Sequence, residues 1–237
     1  MDSSWQTHRR GFLGRVLGAA AAGTLSLARA PQAEAQTTNP DAWIGQVKGT
    51  QRSLFDFPQH KNGVPLLHIF NYLNTYREAY KATAGQVGAV GTFYGIGPQS
   101  SISLAFNDAA WAKYQLGEYT GLKDAGGRPY TRNVFLKPTA DDLHLVMAAM
   151  QTPTIPMFAG AMPSLGIASL QGMGTTFLIC ANALGGWCGE LEARGKGKAA
   201  DIEKDLRASL VPGVVVVPAM VIAIEKSQAA GIRYNRQ

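Results

Sequence analysis

The stretch TTFLICANALGGWC, residues 175–188, opens on a run of β-branched, aromatic and apolar residues and changes character at Cys180. Thr175–Cys180 reads as a buried strand, and the small residues behind it as the start of a helix. The pattern repeats downstream. Asp201 to Leu210 reads as a helix, Pro212-Gly213 as a turn, Val214–Val217 as the purest buried strand of the chain, and Met220 to Ala230 as a closing helix stopped by Gly231. Strands that alternate with helices of this length predict an α/β fold, a parallel sheet covered on both faces.

Working upstream, Ser53-Leu-Phe-Asp-Phe57 reads as a strand that Pro58 stops. Leu66, Ile69, Phe70, Leu73, Tyr76 and Tyr80 recur at spacings of three and four, which predicts a helix over Val64–Lys81. Val87–Tyr94 fits a buried strand that breaks into Gly95-Ile-Gly97-Pro98, and Ser103–Tyr119 reads as one amphipathic helix. Residues 121–138 read as a loop with a short strand around Asn133–Leu136. Thr139-Ala-Asp-Asp142 is a capping-box pattern ahead of Leu143–Met150. Three prolines exclude a long helix over 151–163, and a short one follows over Ser164–Gln171. Ligands of parallel sheets bind beyond the carboxyl ends of the strands. Two loops lie at such ends, Tyr94–Pro98 and Cys180–Ala183, and form the candidate site.

The N-terminus reads as an export signal. Arg9-Arg10-Gly11-Phe12-Leu13 resembles the twin-arginine type, with His8 where Ser or Thr is usual. The apolar stretch Val16–Ala28 is too short and too rich in Ala and Gly to span a bilayer well. Ala33-Glu34-Ala35 and Ala28-Arg29-Ala30 are the two cleavage sites, the second burdened by Pro31; an uncleaved anchor is the alternative. The expectation is a signal over 1–35, a loosely held polar leader over 36–50, a periplasmic protein and no stable membrane span after cleavage. Without the signal, 18 basic residues face 14 acidic ones, a charge of +4. That is too mild to argue for nucleic acid, and the basic run Arg194–Lys198 has no aromatic residue to stack a base. About 200 mature residues make one ordinary domain.

At FLICANAL (residues 177–184) and LVPGVVVVPAMVIAIEKSQAAGIRYNRQ (residues 210–237) the chain resembles the DsrE/DsrF-like family of sulfur-relay proteins. The matching positions are Cys180, Ala181 and Asn182; Leu210 to Val214; Val217, Pro218 and Ala219; and Gln228, Gly231 and Tyr234. Asn71 and Tyr94-Gly95 resemble further recurring elements, while residues 120–165 have no counterpart and read as an insertion in a domain over 51–237. The resemblance implies a small three-layer α/β/α sandwich, a cysteine at the site and a homo-oligomer, trimer or hexamer. It implies no particular sulfur substrate, and export departs from the cytoplasmic sulfur-relay members.

A thiol acts as thiolate, the form that attacks sulfur or accepts a sulfane sulfur. A helix start beside Cys180 favours that anion, and Asn182 is placed to cap the helix or hold an oxyanion. The rival reading of Cys180 is a small buried core residue. Cys188 is a redox partner if residues 184–187 form a tight loop; on a continuous helix the two Cα atoms lie too far apart for a disulfide. His68, Asn71 and Thr75 share one helix side, where His68 serves as a base or simply as a surface residue. Gly95 and Gly97 lack the full dinucleotide fingerprint and read as a tight turn. Asp141 and His144 have no third ligand, so neither a metal nor a cofactor is implied. Three readings stay open: sulfur or thiol redox chemistry through Cys180 with a donor or acceptor protein or small molecule, a non-catalytic ligand-binding module at the two loops, and a structural oligomer.

Overall fold

A computed structural model describes residues 39–237; the export signal and cleavage sites read over 1–35 lie outside them. Among the described residues five strands form one sheet: β1 (Gln51–Asp56), β2 (Val87–Phe93), β3 (Thr175–Cys180), β4 (Val215–Val217) and β5 (Arg233–Arg236). Their order is β4-β3-β2-β1-β5 and every pair is parallel. The apolar runs explain the centre. β2 is buried along its whole length and β3 along nearly all of it, as parallel strands covered on both faces must be.

Among the described residues eight α-helices follow in chain order: α1 (Val64–Glu78), α2 (Asp108–Lys113), α3 (Leu116–Thr120), α4 (Leu143–Ala149), α5 (Ile167–Gly172), α6 (Ala181–Ala193), α7 (Ala199–Ala208) and α8 (Met220–Ala229). Along β3, Phe177 and Ile179 enter one apolar cluster, and Leu178 and Cys180 enter another on the opposite face. The first cluster is broad and takes side chains from α1, α2, α3, α5, α6 and α7. The second is narrow and is closed by Met220 and Ala223 of α8 and by Trp43. These layers make the three-layer α/β/α sandwich. Over the insertion, Leu143, Val146, Met147, Met162 and Leu165 form a third cluster against Val64, Leu67 and Phe70 of α1. No described helix is long and apolar enough to cross a membrane.

Five local readings change. Within 151–163, where the prolines argue against a long helix, Pro156–Leu165 form a ten-residue 3-10 helix with Pro163 inside it. The segment 36–50 is not loose throughout: Ala42–Gln46 form a 3-10 turn, and Trp43 and Val47 are buried because the narrow face needs their bulk. The helix over Ser103–Tyr119 is broken twice. Phe106 and Asn107 are extended, Asn107 caps α2 through Ala110 N at 3.1 Å, and Gln115 takes a left-handed conformation before α3. No strand forms at Asn133–Leu136. The Asn133 side chain donates instead to the carbonyls of Leu104 (2.9 Å) and Phe106 (2.8 Å) and accepts from Phe135 N (3.2 Å), folding the segment into a buried turn. The valine run is a three-residue edge strand with only Val217 buried, since nothing described pairs its outer side. The capping box is present, with Thr139 N donating to Asp142 Oδ2 at 2.7 Å.

Candidate functional site

The geometry of the site begins with a change of side. β3 runs into α6, whose Leu184, Trp187, Cys188 and Leu191 pack in the broad cluster. Its neighbour β4 runs into α8, whose Met220 and Ala223 pack in the narrow one. Adjacent strands thus feed helices on opposite faces, which makes the β3–β4 carboxyl ends the switch point of the sheet, the place where ligands of parallel sheets bind. Cys180 ends β3 at that switch point. It is the N-cap of α6, and its Sγ accepts from Ala183 N at 3.4 Å and from Met220 N at 3.3 Å. The second donor is the first residue of α8. One sulfur therefore receives N–H groups from the starts of two helices, where unpaired donors and the helix dipole favour negative charge. Asn182 N donates to Pro218 O at 3.3 Å and ties the start of α6 to the exit of β4. Cys180 is 5% exposed, whereas Val221 and Ile222, the residues that follow its donor Met220 in α8, are exposed.

Asn182 does not cap the helix. The cap position belongs to Cys180, and the Asn182 side chain, two residues further along, is exposed and makes no hydrogen bond among the described residues.

Tyr94 joins the site from the end of β2, packing against the cluster that holds Cys180. Its hydroxyl donates to Asp56 Oδ1 at 2.8 Å, and the Tyr234 hydroxyl donates to Oδ2 at 2.7 Å. Burial first, and the Asp56 carboxylate second, push the Tyr94 hydroxyl well above the usual tyrosine range. The Asp56 hydrogen bond is the first cause of the upward shift at Tyr234. Asp56 is buried, and sequence reasoning missed it. The signal was available, for it is the one charge inside the apolar run Ser53–Phe57.

Gly95 and Gly97 stand at φ +102° and +97°. At Gly95 a Cβ would lie 3.0 Å from Pro58 O and 3.2 Å from Ser100 Cβ, so the turn needs glycine. Gly97 N donates to Glu190 Oε2 of α6 at 2.9 Å, a clamp that the sequence did not reveal. On the other side the buried His60 reaches Pro98 O from Nε2 at 3.3 Å and accepts from Asn62 N at Nδ1 (3.1 Å). A donor at Nε2 and an acceptor at Nδ1 define the neutral imidazole. Burial accordingly pushes His60 down to about 4.

Cys188 is no redox partner. Both thiols are free and buried, in different clusters. The cap and the eighth helical residue are separated by about 12 Å at 1.5 Å per residue, beyond disulfide reach. Burial pushes the Cys188 thiol up to about 12. His68 and Asn71 are also elsewhere, in a groove between α1 and β5, where His68 Nδ1 meets Gln237 Oε1. His144 turns Nδ1 to Asp141 O (2.8 Å) and Nε2 to Lys123 O (3.0 Å). Among the described residues no three His, Cys, Asp or Glu converge as a metal site would require. Two backbone N–H donors converging on one sulfur at the β3–β4 switch point suit negative charge on that atom.

No protein-family model, curated protein or solved structure matches the chain.

Proposed function

We propose that the protein is an exported sulfur carrier of DsrE/DsrF-like type that takes up and passes on a sulfane sulfur at Cys180. The observation that carries the reading is the Sγ held at the sheet's switch point by Ala183 N and Met220 N. In the step, the Cys180 thiolate attacks the outer sulfur of a donor persulfide. The donor S–S bond breaks, its inner sulfur leaves as a thiolate, and Cys180 becomes the persulfide, with no net oxidation. The negative charge of the new persulfide then rests on its outer sulfur, one bond beyond the Sγ that the two N–H groups hold. Tyr94, held by Asp56, walls the site, and Ile96, Val221 and Ile222 offer exposed apolar surface to a donor or acceptor protein. The reading includes twin-arginine export to the periplasm and assembly as a trimer or hexamer.

Mass spectrometry after incubation with glutathione persulfide tests it. The expected result is an added mass of about 32 Da per sulfur on Cys180, retained in Cys188→Ala and lost in Cys180→Ala. Sulfur on Cys188 alone, or none until the fold is denatured, sinks the reading. A non-catalytic binding module then takes its place, a reading favoured by the 5% exposure of Cys180.

A further inference from the structure

β1 and β5 turn one set of side chains towards α1 and the other set away. Phe55 packs in the broad cluster with α1, whereas Leu54 packs in the narrow one. Gln51 and Ser53 share the side of Phe55, and so do Arg233 and Asn235, which pair in register with Ser53 and Phe55. Between α1 and β5 lies a groove of about 690 Å³, lined by Tyr72, Thr75, Tyr76 and Tyr80 on one side and Asn235 on the other. Arg236 borders it, but its side chain turns with Asp56 to the narrow face. The tyrosine rings form a ladder, with centroids 5.1 Å apart for Tyr72–Tyr76 and 5.2 Å for Tyr76–Tyr80, and Tyr80 ends it 71% exposed. No carboxylate side chain lines the groove.

Two groups on this side of the sheet lack a partner suited to them. The Tyr72 hydroxyl is buried and has no hydrogen-bond partner among the described residues. Burial, the largest cause, pushes it up to about 12, so it stays a neutral donor. The Arg233 guanidinium makes no ion pair among the described residues. Its Nη1 donates to Gln51 Oε1 at 2.8 Å, an amide oxygen that also accepts from the Tyr76 hydroxyl at 3.3 Å. Its charge is near enough to Tyr72 to oppose the upward push there. Arg233 is exposed and tied only to that amide, so its fork is free to turn onto an incoming anion. A carboxylate would take a charge-assisted bond from the guanidinium and relieve the unpaired hydroxyl. One cation balances one charge, which favours a carboxylate over a phosphate dianion. The groove has the size of a small-molecule site, and the tyrosine rings suit an apolar body. We infer that the α1–β5 groove binds a small organic carboxylate, its charged end between Arg233 and the Tyr72 hydroxyl and its apolar body against the tyrosine rings. The inference is independent of Cys180, which belongs to the narrow face.

The test titrates the full chain with phenylacetate and with hexanoate, read by NMR chemical shifts, with phenylacetamide and inorganic phosphate as controls. At least one of the two acids should saturate below about 10 mM and shift the Arg233 Nε–H and Asn235 signals. Phenylacetamide and phosphate should bind at least about tenfold more weakly than that acid. Arg233→Gln should weaken binding about tenfold or more. Tyr72→Phe should weaken it too, yet leave the urea midpoint of the unliganded chain unchanged or higher, because it removes a hydroxyl that has no partner. That variant keeps the ring and decides the matter if Arg233→Gln does not fold. Saturation by neither acid, equal binding of phenylacetate and its amide when phenylacetate is the acid that binds, or full affinity in either variant overturns the inference. So does a lowered urea midpoint in Tyr72→Phe, which would mean that the hydroxyl is already paired. Phosphate binding more tightly than both acids also overturns it and gives the groove to an inorganic anion.

Discussion

Cys180 and Cys188 lie on opposite faces of one sheet, and the two faces are built differently. The broad face is layered with helices, and there Cys188 sits mid-helix among Leu184, Trp187 and Leu191, its thiol pushed up to about 12 by burial. The narrow face is closed by one helix and the Trp43 turn, and there Cys180 meets two helix starts. Both thiols are nearly free of solvent contact, at 5% and 1% exposure, so accessibility alone does not separate them. What separates them is the polar company of the sulfur. A thiol among carbon is a small hydrophobe, whereas a thiol facing backbone N–H groups is an acceptor and a potential anion. The difference comes from topology, because among the described residues only the β3–β4 switch point sends successive helices to opposite sides.

The strongest way to break the comparison is to empty the broad face. Trp187 is fully buried, stacks on Phe106 at 5.5 Å and donates from Nε1 to Tyr119 Oη at 2.9 Å. Trp187→Ala should cost about 3–5 kcal/mol in denaturant unfolding. A loss under about 1 kcal/mol would mean that the broad cluster is loosely packed and that Cys188 owes its silence to something else.

His60 sharpens the comparison through pH, since it holds the Pro98 loop beside Tyr94. Its folded value of about 4 lies below its ordinary 6.5. The unfolded chain therefore binds the proton first as pH falls, so the stability from neutral His60 is whole above about 6.5 and is lost towards about 4. The shift corresponds to about 3 kcal/mol over that window. Urea midpoints at pH 7 and pH 5 should differ in the native chain and much less in His60→Gln. The window between those pH values lies above the range in which ordinary carboxylates titrate. Equal slopes in both proteins would remove His60 from the account.

Much of this architecture was legible, and the misses share a cause. Apolar runs announce β1, β2 and β3 because buried parallel strands need them. β5 has no such run: Arg-Tyr-Asn-Arg is held at the edge by pairing with β1 and by Tyr234 on Asp56. Cys180 was readable as a strand-end thiol, but its second donor, Met220 N, comes from 40 residues away. Asp56 gains its meaning only when Tyr94 and Tyr234 arrive from two other strands. His68 and Asn71 share a helix side as periodicity says, yet periodicity does not tell which groove that side overlooks. Asn133 defeats its own strand reading by satisfying three backbone groups locally.

The smallest effect discriminates most directly between the two thiols. At position 180 alanine removes the acceptor of two N–H groups, whereas serine keeps an oxygen there. Cys180→Ala should therefore be less stable than Cys180→Ser, by about 1 kcal/mol. At position 188 the order should invert. Serine buries a hydroxyl inside the broad cluster, where burial alone already disfavours a charged sulfur, while alanine only leaves a small void. Cys188→Ser should then be less stable than Cys188→Ala by about 1 kcal/mol, unless the hydroxyl finds a backbone carbonyl one turn back. That exception is visible separately, because a serine bonded to its helix stays near the wild type while alanine does not. Four unfolding curves at neutral pH decide it. Opposite rank orders at the two sites mean that Cys180 is held as an acceptor and Cys188 as packing. The same rank order, alanine above serine at both, means that the two N–H groups at Cys180 find water when the sulfur is gone, and the surroundings of Cys180 are then wetter than a 5% exposed thiol suggests.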